Sequence, residues 1–571
     1  MKMYRDTYEL WLKNITEGPL RTELETIAQD EKAIEERFAA EMLFGTAGLR
    51  GIIGAGVSRM NAYTVGRATQ GLADFIRTEG RPEMGMAIAY DSRRFSREFA
   101  RRAAEVLAGN GIRVYIFREL TSVPELSFAV RYLKTFGGIV ITASHNPKEY
   151  NGYKVYASYG GQLGPEDSLR VTEYIQKVDA FGGVKSAAYD KALREGLIVE
   201  VGREIDKAYY GRILTLVDGG DPAEGEGLKV AYTPLHGSGL RTVKNLFPAA
   251  GIKNLFIVER QAEPDGDFPT VKSPNPEDPS AMEMAVSLAK EKGADIALGT
   301  DPDADRMGAA VRGADGEYVM LTGNQIGCIL TAYLLQKRKE KGALKSTDYI
   351  VKSFVSTQMS EKIAADYGVA CHTVLTGFRF ISEMIAENEG TGREFVFGFE
   401  ESYGYLAGDI SRDKDGALAG LLLAKAAAYY KKRGKTLIDV ISGLYGRYRY
   451  FTEKVKSIAF GGIDGMASMK KLMETLRART VDEIAGFRVQ KTEDYLTRRS
   501  TDCKGIKTPI ALPQNDALKY FLEGDAWACI RPSGTEPKLK IYFAASGDTK
   551  DGALVRLQAL EEGITLLINE L

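Results

Sequence analysis

Short, β-branched apolar runs recur along the chain, and each stops in a cluster of small and polar residues. Met86–Tyr90, Val114–Phe117 and Ile139–Ile141 form one such set, with helical spacing over Ala62–Ile76 and Phe99–Gly109 around them. The rhythm returns at Leu228–Tyr232, Leu255–Val258 and Asp295–Thr300, and again at Tyr349–Val355, Val374–Leu375 and Glu394–Phe397. Continuous apolar runs bounded by turn residues and alternating with helices predict buried strands in α/β layers. Three successive rounds predict architectural repetition without close sequence identity. Two regions depart from this texture. Residues 4–43 place Leu20, Leu24, Ile27, Ile34 and Phe38 at helical spacing among charges, which predicts one or two amphipathic helices. After Tyr450, a helical pattern over 463–485, strands at Ala526–Ile530 and Leu539–Phe543, and a closing helix over 551–571 predict a small α+β unit with a hairpin-like centre.

The length of 571 residues fits roughly four domains at about 150 residues each. A net charge of -1 gives no case for a nucleic-acid-binding protein, so an anionic ligand must be met by local clusters of Lys and Arg. Cys328, Cys371, Cys503 and Cys529 are scattered without metal-ligand spacing and fit free thiols in a reducing compartment. No apolar run is long enough to cross a bilayer and Met1–Leu12 lacks the apolar core of a signal peptide, so no membrane association and a cytoplasmic location are expected. Oligomeric state is not legible.

Candidate chemistry sits in the loops after the apolar runs. Thr142-Ala143-Ser144-His145-Asn146-Pro147 places a hydroxyl beside an imidazole just past a strand, a position suited to a nucleophile or to an ordinary self-bonded turn. Asp301, Asp303 and Asp305 alternate straight after a buried run. Carboxylates this close repel one another unless a cation joins them, and oxygen-only ligands favour Mg²⁺ or Mn²⁺. A calcium EF-hand is excluded, because Arg306 and Arg312 stand where it needs Gly and Glu. Arg531-Pro532-Ser533-Gly534-Thr535-Glu536-Pro537 offers a guanidinium, two hydroxyls and glycine-loosened amides, with Lys540 following, a set suited to wrap a phosphate. It is no Walker loop, since the only Gly-Lys-Thr has Tyr429 where the first glycine belongs. Glu400, Glu401 and Ser402 could accept hydrogen bonds from sugar hydroxyls, and Arg50 sits in the glycine-rich Phe44–Gly51.

Thr142–Pro147, Asp301-Pro302-Asp303-Ala304-Asp305-Arg306, Glu400-Glu401-Ser402 and Arg531–Pro537, in this order and at these separations, resemble the α-D-phosphohexomutases, a family that includes phosphoglucomutases and phosphomannomutases. The resemblance runs from about Phe44 onward. It implies a heart-shaped molecule of three similar α/β domains and a C-terminal α+β domain around a central cleft. The corresponding divisions are 1–220 with the serine loop, 221–321 with the metal loop, 322–452 with the sugar loop and 453–571 with the phosphate loop. It further implies that Ser144 is the phosphoserine and that Asp301, Asp303 and Asp305, with that phosphate, hold Mg²⁺. Lys154, in Asn151-Gly152-Tyr153-Lys154, would be the acid/base; His145 would steady the transfer, and Arg50 and Arg306 would lie near the reacting phosphate. Glu400 and Ser402 would hold ring hydroxyls, Gly377 and Arg379 would read the sugar's orientation, and Lys414 would contact substrate. Arg531, Ser533, Gly534 and Thr535, with Lys540, would grip the other phosphate. Pro302, Ala304 and Phe399 depart from the commoner glycines at those places.

The implied reaction interconverts glucose 1-phosphate and glucose 6-phosphate, with glucose 1,6-bisphosphate as intermediate and activator and sugar phosphates as the only partners. Mannose or pentose phosphates are the alternative substrates on the same site. An aspartyl-phosphate phosphatase and a non-catalytic sugar-phosphate sensor are the rivals from other classes.

Overall fold

The computed structural model describes residues 3–45, 48–218, 225–460, 465–533 and 538–570. Met1–Gly323, Ser382–Phe397 and Ser402–Thr436 form one compact unit, and Asn324–Ile381, Gly398–Glu401 and Leu437–Leu571 a second.

The first unit begins with three helices, Met3–Asn14, Pro19–Thr26 and Glu31–Phe38, where the apolar spacing predicts one or two. The breaks come from local chemistry. Gly18 takes φ 85° before Pro19, and the Asp30 carboxylate caps the third helix by accepting from Ala33 N at 3.0 Å. Their apolar faces close on Trp11, whose ring meets Phe38 and Phe181 edge-on at 5.8 and 5.6 Å.

The first sheet has the order Gly48–Ile52, Tyr150–Ala157, Gly137–Ile141, Met86–Tyr90, Val114–Phe117, Ile198–Val201. Its last four strands are parallel, and the first two are antiparallel additions. Gly137–Ile141 and Met86–Tyr90 are buried throughout, which is why they read as unbroken apolar runs. The second sheet repeats the plan with Tyr318–Met320, Met307–Arg312, Ile296–Thr300, Lys229–Thr233 and Asn254–Ile257. The third has the order Ala370–Val374, Tyr349–Ser353, Phe395–Glu400, Gly404–Ala407. In all three the third strand of the set lies beside the first, then turns through a short loop into a neighbouring strand. One non-glycine residue in each of these loops is left-handed: Ser144 (φ 52°), Ala304 (φ 53°) and Tyr403 (φ 62°).

The C-terminal sheet follows the order Tyr450–Ala459, Lys538–Gly547, Ala526–Pro532, Leu518–Leu522, Phe487–Asp494, Arg499–Asp502, Lys507–Pro509, with helices Gly465–Ala478 and Lys550–Asn569. The paired strands Ala526–Pro532 and Lys538–Gly547 stand third and second, counting from the Tyr450–Ala459 edge, rather than at the centre of the sheet. The helical expectation over 463–485 holds for Gly465–Ala478 and then fails, because the chain enters a short strand at Glu483–Ile484. Tyr450–Ala459 and Phe487–Asp494 carry polar, largely half-exposed side chains, so no apolar run announced them.

Pro302 and Phe399 each face a glycine elsewhere in the fold. A Cβ at Gly237 would lie 2.3 Å from Pro302 Cα, and one at Gly327 would lie 2.4 Å from the Phe399 ring. The bulk added in one loop is taken up by the missing side chain opposite. Since the Pro302 backbone cannot yield as a side-chain tip can, Gly237→Ala is expected to destabilise the protein by about 1–3 kcal/mol. An earlier midpoint in urea unfolding would register this, and an unchanged midpoint would show that the contact relaxes.

Candidate active site

In the first unit, the strand Gly137–Ile141 delivers Thr142 and Ser144 into a buried loop. The Thr142 hydroxyl accepts from Ser144 N at 2.8 Å and donates to Asp303 Oδ2 at 3.1 Å, so one side chain both shapes the turn and joins it to the aspartate loop. Arg93 holds the turn from beneath. Its guanidinium donates to the carbonyls of Ser144 and Asn146, to Pro147 O at 2.9 Å and to Tyr150 O at 3.0 Å. Asp91 Oδ2 lies 3.4 Å from Arg93 Nε, and the Phe268 ring lies 5.0 Å from the guanidinium carbon. Backbone carbonyls of a tight turn that would otherwise be buried without donors are thereby satisfied.

The Ser144 hydroxyl donates to Asp301 Oδ2 at 2.6 Å and lies 3.1 Å from His145 Nδ1. Burial, then the Arg306 and Arg50 cations, pull the His145 imidazole down to about 2, so it is neutral at physiological pH. The neutral ring sets one nitrogen against the serine oxygen, with the tautomer deciding which of the two donates.

Asp301, Asp303 and Asp305 are buried, and one oxygen from each lies within 4.8 Å of the others. Asp301 Oδ1 accepts from Arg306 N at 3.0 Å, and Asp303 Oδ2 accepts from Lys154 Nζ at 3.0 Å. Asp305 Oδ2 accepts from Lys414 Nζ at 3.1 Å. The remaining oxygens, Oδ1 of Asp303 and Oδ1 of Asp305, have no hydrogen-bond partner. Burial, then the Asp303 and Asp305 charges, push Asp301 well above the usual carboxylate range. Burial acts the same way on Asp303, but the Lys154 and Lys414 ammonium groups and hydrogen bonding to the carboxylate together outweigh it and hold Asp303 below that range. Converging oxygen ligands, two of them unsatisfied, and a carboxyl that resists ionisation fit a divalent cation of the oxygen-preferring kind.

Arg306 donates to Glu277 Oε1 at 2.6 Å and to Ser402 O at 2.8 Å, and Arg50 donates to Asn146 Oδ1 at 3.4 Å. The structure therefore gathers Ser144, His145, Lys154, Asp301, Asp303, Asp305 and Lys414 into one polar cluster, with Arg306 joined to it through Asp301. Arg50 is linked to the serine loop through Asn146, and Ser402 enters by its carbonyl.

In the second unit, Glu400 Oε1 accepts from Gly377 N at 2.7 Å, and Gly377 takes φ 113°. Glu401 is held by Ser353 Oγ at 2.8 Å and Ser356 Oγ at 3.2 Å. The Arg379 guanidinium lies over the Phe380 ring at 4.5 Å. Arg531 and Lys540 are directly opposed across the C-terminal hairpin, which puts both cations on one face, and Arg531 also hydrogen-bonds Tyr542. Ser533 N donates to Lys538 O at 2.8 Å. Gly534 and Thr535 lie outside the described residues.

Sequence reasoning missed Arg93, Glu277 and Asp413 as parts of the site and gave Thr142, within the serine loop, no role of its own. Asp91-Ser92-Arg93 does carry a usable signal, since charged residues straight after a fully buried strand must find partners in the same crevice. Among the described residues, no helix is long and apolar enough to cross a membrane.

Four consecutive segments match descriptions of the phosphoglucomutase/phosphomannomutase family: α/β/α domain I over 41–181, domain II over 207–315, domain III over 322–448 and the C-terminal domain over 472–561. Among curated proteins, the chain is 35% identical to a phosphoglucomutase of Staphylococcus saprophyticus over 552 residues, covering 96% of this chain and 98% of that one. It is 34% identical to a phosphoglucomutase of Staphylococcus aureus over 559 residues, covering 97% and 98%. Among solved structures, a putative phosphomannomutase from Thermus thermophilus aligns with a TM-score of 0.69 at 23% identity, covering 93% of this chain and 99% of that one. Parafusin from Paramecium, a phosphoglucomutase solved in an open form, aligns at 0.68 and 17% identity, covering 93% and 96%. The four-domain α/β architecture is shared with both.

Because a lysine ammonium cannot fork to several carbonyls as a guanidinium does, Arg93→Lys is expected to loosen the serine loop. Hydrogen exchange at the amides of 144–150 should quicken relative to that of strand Met86–Tyr90, whereas unchanged exchange would show that the loop holds without the clamp.

Proposed function

Because the chain belongs to the phosphoglucomutase/phosphomannomutase family, we propose that it interconverts α-D-glucose 1-phosphate and glucose 6-phosphate through a phosphoserine at Ser144 and a glucose 1,6-bisphosphate intermediate. The observation that carries this reading is the Ser144 hydroxyl set 2.6 Å from Asp301, at the edge of a buried three-carboxylate cluster. Glucose is favoured over mannose as the sugar because the full-length relatives at 34–37% identity are phosphoglucomutases.

In this reading the phosphoryl group on Ser144 Oγ passes to the free hydroxyl of the sugar monophosphate. The Oγ–P bond breaks as the new O–P bond forms, and Lys154, as the free amine, takes the hydroxyl proton, becomes the ammonium and gives the proton back to the sugar oxygen released in the second transfer. The bisphosphate then presents its other phosphate and returns a phosphoryl group to Ser144. Arg50 and Arg306 stabilise charge on the transferring group, and neutral His145 steadies the serine oxygen. Asp301, Asp303, Asp305 and an oxygen on Ser144 are the proposed ligands of Mg²⁺, which when bound supplies charge stabilisation for phosphoryl oxygens. Glu400 and Ser402 are assigned to sugar hydroxyls, Gly377 and Arg379 to the sugar's orientation and Lys414 to substrate contact. Arg531, Ser533 and Lys540, with Gly534 and Thr535, are assigned to the phosphate not being transferred.

Ser144→Ala is expected to lower turnover of glucose 1-phosphate by at least about 10⁴-fold. It should also remove acid-stable phosphate from the protein, read by mass spectrometry after incubation with glucose 1,6-bisphosphate. Wild-type-like turnover would remove Ser144 from the nucleophile's place. Asp303→Asn is expected to weaken Mg²⁺-dependent activity about 100-fold or more, and a Mg²⁺ titration that superimposes on wild type would refute the ligand assignment.

A further inference from the structure

Lys414 and Asp413 form a buried pair beside the aspartate cluster, and their geometry separates two kinds of carboxylate. Asp413 is fully satisfied. Its Oδ1 accepts from Lys414 N at 2.8 Å and Lys414 Nζ at 2.9 Å, and its Oδ2 accepts from Tyr156 OH at 2.7 Å and Gln162 Nε2 at 2.9 Å. Asp303 and Asp305 each keep one oxygen without a hydrogen-bond partner. The Lys414 ammonium is shared, lying 2.9 Å from Asp413 and 3.1 Å from Asp305. Tyr156 is two residues beyond Lys154 on the strand Tyr150–Ala157, so both side chains leave the same face. Lys154 goes to Asp303, and Tyr156 reaches Asp305 indirectly, through Asp413 and Lys414.

We propose that Asp413 is a positioning residue for the metal centre: by balancing the Lys414 ammonium, it leaves Asp305 its negative charge for a divalent cation. The inference rests on the reading above that Asp301, Asp303 and Asp305 hold the metal. Asp305 faces the Lys414 ammonium at 3.1 Å and, at 3.9 Å, both Lys154 and Arg306, of which Arg306 is also paired with Glu277 at 2.6 Å. Without the Asp413 charge, the Lys414 ammonium would draw more strongly on Asp305, and the cation would compete with it for that ligand.

The test is Mg²⁺ titration by calorimetry on the full chain, comparing wild type with Asp413→Asn, Lys414→Met and the double variant. Asp413→Asn keeps the shape and should weaken Mg²⁺ binding about tenfold. Lys414→Met should bind at least as tightly as wild type, and adding Asp413→Asn to it should change affinity by less than about twofold, since the charge to be balanced is gone. Wild-type affinity in Asp413→Asn, or an equal loss in both backgrounds as a merely structural role would give, overturns the proposal. Should Asp413→Asn fail to fold, Lys414→Met alone decides: affinity equal to or above wild type supports the proposal, and weaker binding overturns it. Absence of Mg²⁺ binding in the folded wild type would instead overturn the metal site of the proposed function and this inference together.

Discussion

Negative charge removed from water is the constraint around which the first unit is arranged. Asp301, Asp303 and Asp305 are almost wholly buried, and three ionised carboxylates in that position could not persist without compensation. Every polar group near them answers this demand in a different way. Lys154 and Lys414 bring charge, the Arg306 amide and the Thr142 and Ser144 hydroxyls bring donors, and two oxygens are left over. Serine is thus fixed near the acids by the same hydrogen bonds that keep the acids tolerable, so placement of the Ser144 hydroxyl and stability of the loop are one problem solved once.

The repeated sheets explain how unrelated chemistries arise at comparable points. Each α/β set ends by turning its third strand back into a neighbour, and a turn that short leaves little room for ordinary backbone angles. Ser144, Ala304 and Tyr403 take the left-handed conformation there, in loops that carry the hydroxyl, the alternating carboxylates and the paired glutamates. A parallel sheet presents its crevice at the carboxyl ends of its strands. Three copies of one fold plan therefore supply a hydroxyl loop, an acidic loop and a Glu-Glu-Ser loop from equivalent positions.

Much of this was legible before any coordinates. Buried parallel strands are continuous apolar runs, so Met86–Tyr90, Gly137–Ile141 and Ile296–Thr300 announced themselves, and the alternating aspartates had one economical explanation. What escaped detection had physical reasons. Tyr450–Ala459 and Arg499–Asp502 are stabilised by cross-strand pairing while their side chains stay polar, so they left no hydrophobic signature. Arg93 lies 51 positions before the serine whose carbonyl it holds, and Asp413 stands farther still along the chain from Asp305. A relation set by folding rather than spacing is invisible in the sequence. Pro302 and Phe399 looked like flaws in a motif until Gly237 and Gly327 were seen to make room for them.

The grip of Arg93 on the carbonyls of Ser144, Asn146, Pro147 and Tyr150 has a corollary. In the proposed reaction the Ser144 oxygen alternates between bare and esterified and swings its own charge by nearly two units in every cycle. Because the Arg93 guanidinium anchors the main chain of the turn through four carbonyls, that swing falls on the side chains around the serine rather than on its backbone.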